Sequence, residues 1–237
     1  MGSTLACIRF TIEVDTEDLE PSRVITKIHG RVFQCDDEGE IEIAYGSLMA
    51  YLVLTGRAIN ERVDLFDAMD SIDATVYECY EAVFEPESDE WREAIRNFYD
   101  GGVLSRDVLF IASIELEEAF RKKGIGAEVV RETIATFGSH CGLVVCKPFP
   151  LQYSNWGDEE HAEMRKALGF EEQRVKAFDG VSRFWRKCGF VRLPQSEFFA
   201  YSPELSRQPN SEQSKITVIR VPRGRRKLPS PPKNTTS

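Results

Sequence analysis

Arg121-Lys122-Lys123-Gly124-Ile125-Gly126-Ala127 joins two stretches of different periodicity. Before it runs Val108–Leu116, VLFIASIEL, an apolar segment of strand length. After it, Glu128 to Phe137 is amphipathic, and Ala127, Val130, Ile134 and Phe137 recur at helical spacing. A strand therefore enters a basic, glycine-containing turn and a helix leaves it. Such a junction directs backbone N–H groups, the positive end of a helix dipole and three cationic side chains at one place, which suits phosphate or pyrophosphate. Gly124 and Gly126 carry no Cβ and let the backbone approach the anion. Arg121 can add a bidentate contact, and Lys122 and Lys123 add charge.

Two other phosphate loops are excluded. A dinucleotide fingerprint needs a third glycine, and Gly124-Ile125-Gly126-Ala127-Glu128-Val129 ends in valine. A nucleotide P-loop ends in Gly-Lys-Ser/Thr, a tripeptide the chain lacks. What remains is Arg-x-x-Gly-x-Gly/Ala between strand and helix. Further on, Gly142–Cys146 reads as a buried strand, and Phe184-Trp185-Arg186-Lys187-Cys188-Gly189-Phe190 as the end of a helix, Val181–Cys188, followed by Gly-Phe.

These two pieces resemble the acetyl-CoA-binding core of the GNAT acyltransferase superfamily, which carries Arg/Gln-x-x-Gly-x-Gly/Ala at this junction and an aromatic or apolar residue, Tyr, three variable residues, Gly and Phe at its helix-to-strand segment. The resemblance covers roughly residues 105–202. It implies an α/β (α+β) fold: a mixed, mostly antiparallel sheet flanked by helices. The N-terminal half, whose strands come mainly before its helices, departs from the family pattern and is non-standard, and the composition after Ser202 predicts a disordered C-terminal tail. The expected division is 1–104, strands plus an acidic helical pair; 105–202, the acetyl-CoA-binding core; and 203–237, a basic tail rich in Pro and Ser.

The resemblance further implies a transferase that moves an acetyl group from acetyl-CoA, its co-substrate, to a primary amine by direct attack. The cofactor-binding residues would be Leu116, Arg121, Lys122, Lys123, Gly124, Ile125, Gly126, Ala127 and Trp185. The pantetheine arm would lie in a splayed gap beside the strand, and the Leu116 amide would act as oxyanion donor. An amine is mostly protonated at neutral pH, so the reaction needs a base, and Glu115 is the first candidate and Glu117 the second. The alternative for Glu115 is a solvated charge at a strand end. Trp185 stands where the family often has a tyrosine acid, and an indole gives up no useful proton. Phe178 stands where the family often has asparagine. These departures keep a second reading open, a coenzyme-A-binding interaction module without turnover. A third is an unrelated α/β interaction protein.

Elsewhere, residues 6–14, 24–34 and 40–55 read as strands, with Asp36-Asp37-Glu38-Gly39 as turn chemistry. Residues 61–100 carry thirteen Asp/Glu against three Arg and read as a helical pair divided at Pro86. Asp158–Leu168 reads as an extra helix and Phe198–Tyr201 as a last strand. The chain carries −9. Its last 31 residues hold eight Lys/Arg and one Glu, +7, so residues 1–206 carry −16. An acidic body suits a cationic amine, a small molecule or a protein amine, and repels nucleic acid except through the tail. The tail's Arg223, Arg225, Arg226 and Lys227 suit an acidic partner. Order should fade after Ser202, with Lys215–Val221 as a short β-prone exception able to add to a sheet edge.

The six cysteines form no Cys-x-x-Cys pair and read as reduced core residues. With three histidines and no spaced ligand set, no metal site is expected. Met1–Phe10 has no signal-peptide pattern, and no apolar run reaches the ~20 residues a bilayer span requires. The expected location is cytoplasmic.

Overall fold

Strand alternation places Ile8, Ile28, Val32 and Leu48 on one face of a sheet and Ile25, Tyr51 and Phe110 on the other, and helices cover both faces. The computed structural model describes residues 5–13, 23–35, 41–86, 88–99, 105–150, 170–205 and 216–218. β1 (Leu5–Glu13), β2 (Ile25–Cys35), β3 (Ile41–Val53) and β4 (Val108–Leu116) pair antiparallel in succession. β5 (Leu143–Cys146) pairs parallel to β4. β7 (Phe199–Tyr201) lies antiparallel to β5, and β6 (Val191–Arg192) antiparallel to β7. The order is β6-β7-β5-β4-β3-β2-β1, extended at the β1 edge by β8 (Ile216–Val218), which runs parallel to β1. Mixed sheet and flanking helices match the expected class.

Between β3 and β4 the expected helical pair is four short helices: α1 (Thr55–Glu61), α2 (Leu65–Asp70), α3 (Ala74–Val83) and α4 (Glu93–Phe98). Asp73 caps α3 by accepting from the N–H groups of Thr75 and Val76 at 2.8 and 2.9 Å. Asp64 caps α2 through the N–H of Asp67. These helices bury Leu65, Met69, Val76, Tyr80 and Ile95 against Tyr51, Val108, Phe110 and Val145.

The parallel step from β4 to β5 requires a crossover, and α5 (Ile125–Thr133) supplies it, continuing through a π-helical turn at Ile134–Gly138. Gly138 ends it where a Cβ would stand 3.0 Å from Val144 Cγ2. α5 and α6 (Phe170–Lys187) cover the second face, burying Val129, Val130 and Trp185 with Leu109, Ile111 and Val144. α6 is longer than the expected helix Val181–Cys188. The expected helix Asp158–Leu168 and most of the tail lie outside the described residues, but Ile216–Val218 pairs on the sheet edge. No helix among the described residues is long and apolar enough to cross a membrane.

Cys79, Cys141 and Cys146 are buried free thiols, and Cys188 is a half-buried one. The expectation of reduced cysteines is corrected at Cys7, which is disulfide-bonded. Burial pushes the thiols of Cys141 and Cys188 up to about 12 and about 11. It pushes the phenols of Tyr99 and Tyr51 up to about 12, Asp73 adding to the effect at Tyr51. In the unfolded chain these groups ionise near 9 and 10. Above that range the unfolded state has released protons the native state still holds, so stability falls as pH rises. Urea midpoints are expected to drop steadily from about pH 8 to about pH 11, and a flat profile would contradict this burial.

Candidate active site at the end of the fourth strand

The pairing of β4 changes along its length. With β3 it runs in register from Gly46↔Leu116 to Met49↔Ser113, then shifts to Ala50↔Ile111, which leaves Ala112 as a bulge. With β5 it runs from Val108↔Leu143 to Ile111↔Cys146 and stops. Pro148 and Pro150 follow two and four residues later, and with no N–H they cannot extend the ladder. β4 itself continues for residues 112–116.

The open side of this extension can be assigned from hydrogen bonding. Glu117 N–H donates to Tyr45 C=O at 2.9 Å. Alternation in an antiparallel pair then sends the backbone groups of Ser113 and Glu115 toward β3, and those of Ile114 and Leu116 toward the space β5 has vacated. Arg121 Nε donates to Leu116 C=O at 2.8 Å on that side. Among the described residues no strand pairs with β4 on that side beyond Ile111, so the N–H groups of Ile114 and Leu116 face a gap in the described sheet.

The basic turn closes one end of the gap. Its approach is fixed by Phe120, stacked on the buried ring of Tyr45 with centroids 4.0 Å apart and planes 6° apart. Lys123 Nζ lies 5.2 Å from the centroid of the Phe120 ring. Lys122 and Gly124 adopt positive φ, 60° and 86°. Gly124 C=O accepts from the N–H groups of Ala127 and Glu128 at 3.1 and 3.2 Å and so starts α5. The N–H groups of Lys122, Lys123, Gly124, Ile125 and Gly126 have no acceptor among the described residues. Arg121, Lys122, Lys123 and Gly124 are exposed. A Cβ on Gly126 would meet Phe184 at 3.3 Å and Leu116 Cδ1 at 3.7 Å, so α6 lies directly over the turn.

The sequence-derived site residues fall into three groups. Leu116, Lys122, Lys123, Gly124, Ile125, Gly126 and Ala127 gather at the gap and the turn. Arg121 belongs to the turn, but its Nε is committed to Leu116 C=O, which turns the fork back toward the strand end. Trp185 is only 5 % exposed, edge-on to Phe184 and Phe190 at 5.3 and 4.9 Å, and the ring that covers Gly126 is Phe184. Glu115 and Glu117 are exposed. Glu115 projects from the face opposite Ile114 and Leu116, which pack with α5 and α6. Sequence reasoning missed the Ile114 amide, which lies deeper in the gap than that of Leu116. Its only sequence signal was the proline pair after β5.

A separate cavity of about 320 Å³ lies between α3, α4 and the β6–β7 turn. Lys147 in its wall places Nζ 2.5 Å from Glu78 Oε2 and 3.5 Å from Glu197 Oε2, so its charges largely neutralise one another. No cluster of three His, Cys, Asp or Glu side chains suited to a metal occurs among the described residues. Comparison with protein-family models, curated proteins and solved structures finds no match.

The fit at the strand end has a mechanical consequence. A Cβ on Gly46 would stand 2.5 Å from Leu116 Cδ2 and 2.6 Å from Glu115 C=O. Gly46→Ala must push β3 and the end of β4 apart, at a cost of about 1–3 kcal/mol. Denaturant unfolding should show that loss, whereas an unchanged midpoint would mean that this close approach is absent.

Proposed function

We propose that the protein is an N-acetyltransferase that moves the acetyl group of acetyl-CoA to a primary amine by direct attack. One observation carries the reading: among the described residues β4 outruns β5 by five residues, the amides of Ile114 and Leu116 face the side β5 leaves open, and that side ends at a basic turn whose five N–H groups have no described acceptor. A thioester carrier with a diphosphate has the matching shape, an extended arm with a polyanionic end.

In this reading the diphosphate lies on the N–H groups of Lys122 to Gly126, with Lys122 and Lys123 adding charge. The pantetheine arm follows β4 through the gap. The thioester carbonyl accepts from the Ile114 or Leu116 amide, which stabilises the oxyanion as the amine attacks. The amine nitrogen forms the new bond to the carbonyl carbon, the C–S bond breaks, and sulfur keeps the electron pair. Glu115, directly or through water, takes the proton of the amine, with Glu117 as second candidate. The thiolate can leave unassisted because thiols ionise near ~8.5, so Trp185 need donate no proton.

Burial of Trp185 where the resembled family often has tyrosine favours a second reading, a coenzyme-A-binding module without turnover. Calorimetry and a thiol-release assay separate the two. Acetyl-CoA is expected to bind at micromolar affinity, and Gly126→Trp, which drives an indole into Phe184 and the amide cradle, to abolish binding. Amine-dependent thiol release should fall about 100-fold in Glu115→Gln with acetyl-CoA affinity unchanged. Binding without release across a broad amine panel would favour the module, and no binding would eliminate both.

A further inference from the structure

Among the described residues, the sheet face that carries α1–α4 is covered only in part. Over β1, β2 and the adjoining halves of β3 and β4, register aligns a row of side chains: Arg9↔Arg31, Arg31↔Ser47 and Ser47↔Glu115. All four project from the face opposite the apolar set Ile8, Ile28, Leu48 and Ile114. Arg31, Ser47 and Glu115 are exposed, and Arg9 is half-buried with its guanidinium 5.4 Å from the centroid of the Phe33 ring.

Two like charges directly opposite in a ladder oppose pairing. Elsewhere on this face the chain compensates: Lys27 Nζ lies 3.5 Å and His29 Nε2 2.9 Å from the carboxylate of Glu13. Arg9 and Arg31 have no such relief among the described residues. No hydrogen bond or ion pair joins either to a described residue, and Arg9 Nε is buried without an acceptor. Two guanidinium groups side by side, with no hydrogen-bond or ion-pair partner among the described residues, suit an anion, and their planar forks match a carboxylate.

The other end of the row is the carboxylate of Glu115, two strand spacings, roughly 10 Å, from Arg31. Read from β1 to β4, the row is positive, positive, neutral, negative. That order complements a molecule with a carboxylate at one end and an ammonium at the other. A dianionic phosphate would be repelled more strongly by Glu115 than a carboxylate would. The cavity beside Lys147 lacks this selectivity, because its carboxylates are already engaged.

We propose that this row is the acceptor platform and that the acceptor is an amine that also bears a carboxylate, with the carboxylate on Arg9 and Arg31 and the amine at Glu115. The fate of the amine rests on the acyltransferase reading; the carboxylate site does not. Transfer then forms the amide bond at that amine, breaks the thioester C–S bond, and delivers the proton to Glu115 or solvent.

The test is calorimetry with ω-aminocarboxylates of increasing length, alongside alkylamines of equal length. Wild-type protein should bind one aminocarboxylate length saturably and better than its alkylamine. Arg31→Gln and Arg9→Gln should each weaken it about 10- to 100-fold, as expected for a charge-assisted contact, and leave alkylamine binding unchanged. Equal binding of the two ligand series, or indifference to Arg31→Gln, overturns the proposal. Acetyl-CoA is titrated separately. If it binds and no aminocarboxylate does, only the platform fails. If an Arg31-dependent aminocarboxylate binds and acetyl-CoA does not, the platform stands and the acyltransferase reading fails.

Discussion

The organisation of the site depends on a parallel strand pair that stops early. Backbone donors and acceptors in a sheet interior must be satisfied, and a strand that outlasts its neighbour leaves a row of them facing outward. Here Pro148 and Pro150 prevent β5 from following β4 past Ile111, and the bulge at Ala112 re-aims the remaining residues. On the β3 side the same stretch is held by Ser113, Glu115 and the Glu117–Tyr45 hydrogen bond. One edge of β4 is thus paired and the other has no backbone partner among the described residues, the arrangement a polar, extended ligand needs if it is to replace a missing strand.

The basic turn depends on that rigidity. Phe120 stacked on Tyr45 ties the turn to β3, and Arg121 ties it to the last carbonyl of β4. Lys122 and Gly124 take left-handed backbone conformations within three residues, which converges successive N–H groups before α5 begins. The two helical layers then divide the work. α5 and α6 pack beside the turn on one face, and on the other α1–α4 do not reach β1 and β2, where Arg31, Ser47 and Glu115 of the cross-strand row are exposed and Arg9 is half-buried.

Much of this was legible from local pattern. The strand–turn–helix passage at 108–137, the buried strand before Lys147, and Gly189-Phe190 after a helix follow from periodicity and glycine placement. So does the β-prone piece at 216–218. What was not legible depends on pairing. The bulge at Ala112 is a property of two strands and leaves no single-residue mark. α1 and α2 are too short to show a period, and β6 has two residues. Arg9 and Glu115 are more than a hundred positions apart in the chain and share a row only because four strands align. Trp185 shows the limit of motif reading: its place in the pattern suggested a ligand contact, but packing between Phe184 and Phe190 buries it and brings Phe184 over the turn.

The most direct test of the account is an amide-resolved NMR titration of the full chain with acetyl-CoA. The amides of Ile114, Leu116 and Lys122 through Gly126 should shift together and saturate at one ligand per chain, with β1 and β2 amides unmoved. Shifts centred elsewhere, or unperturbed amides at 114, 116 and 122–126 in a chain that binds the ligand, would contradict the claim that the gap beside β4 receives a thioester carrier.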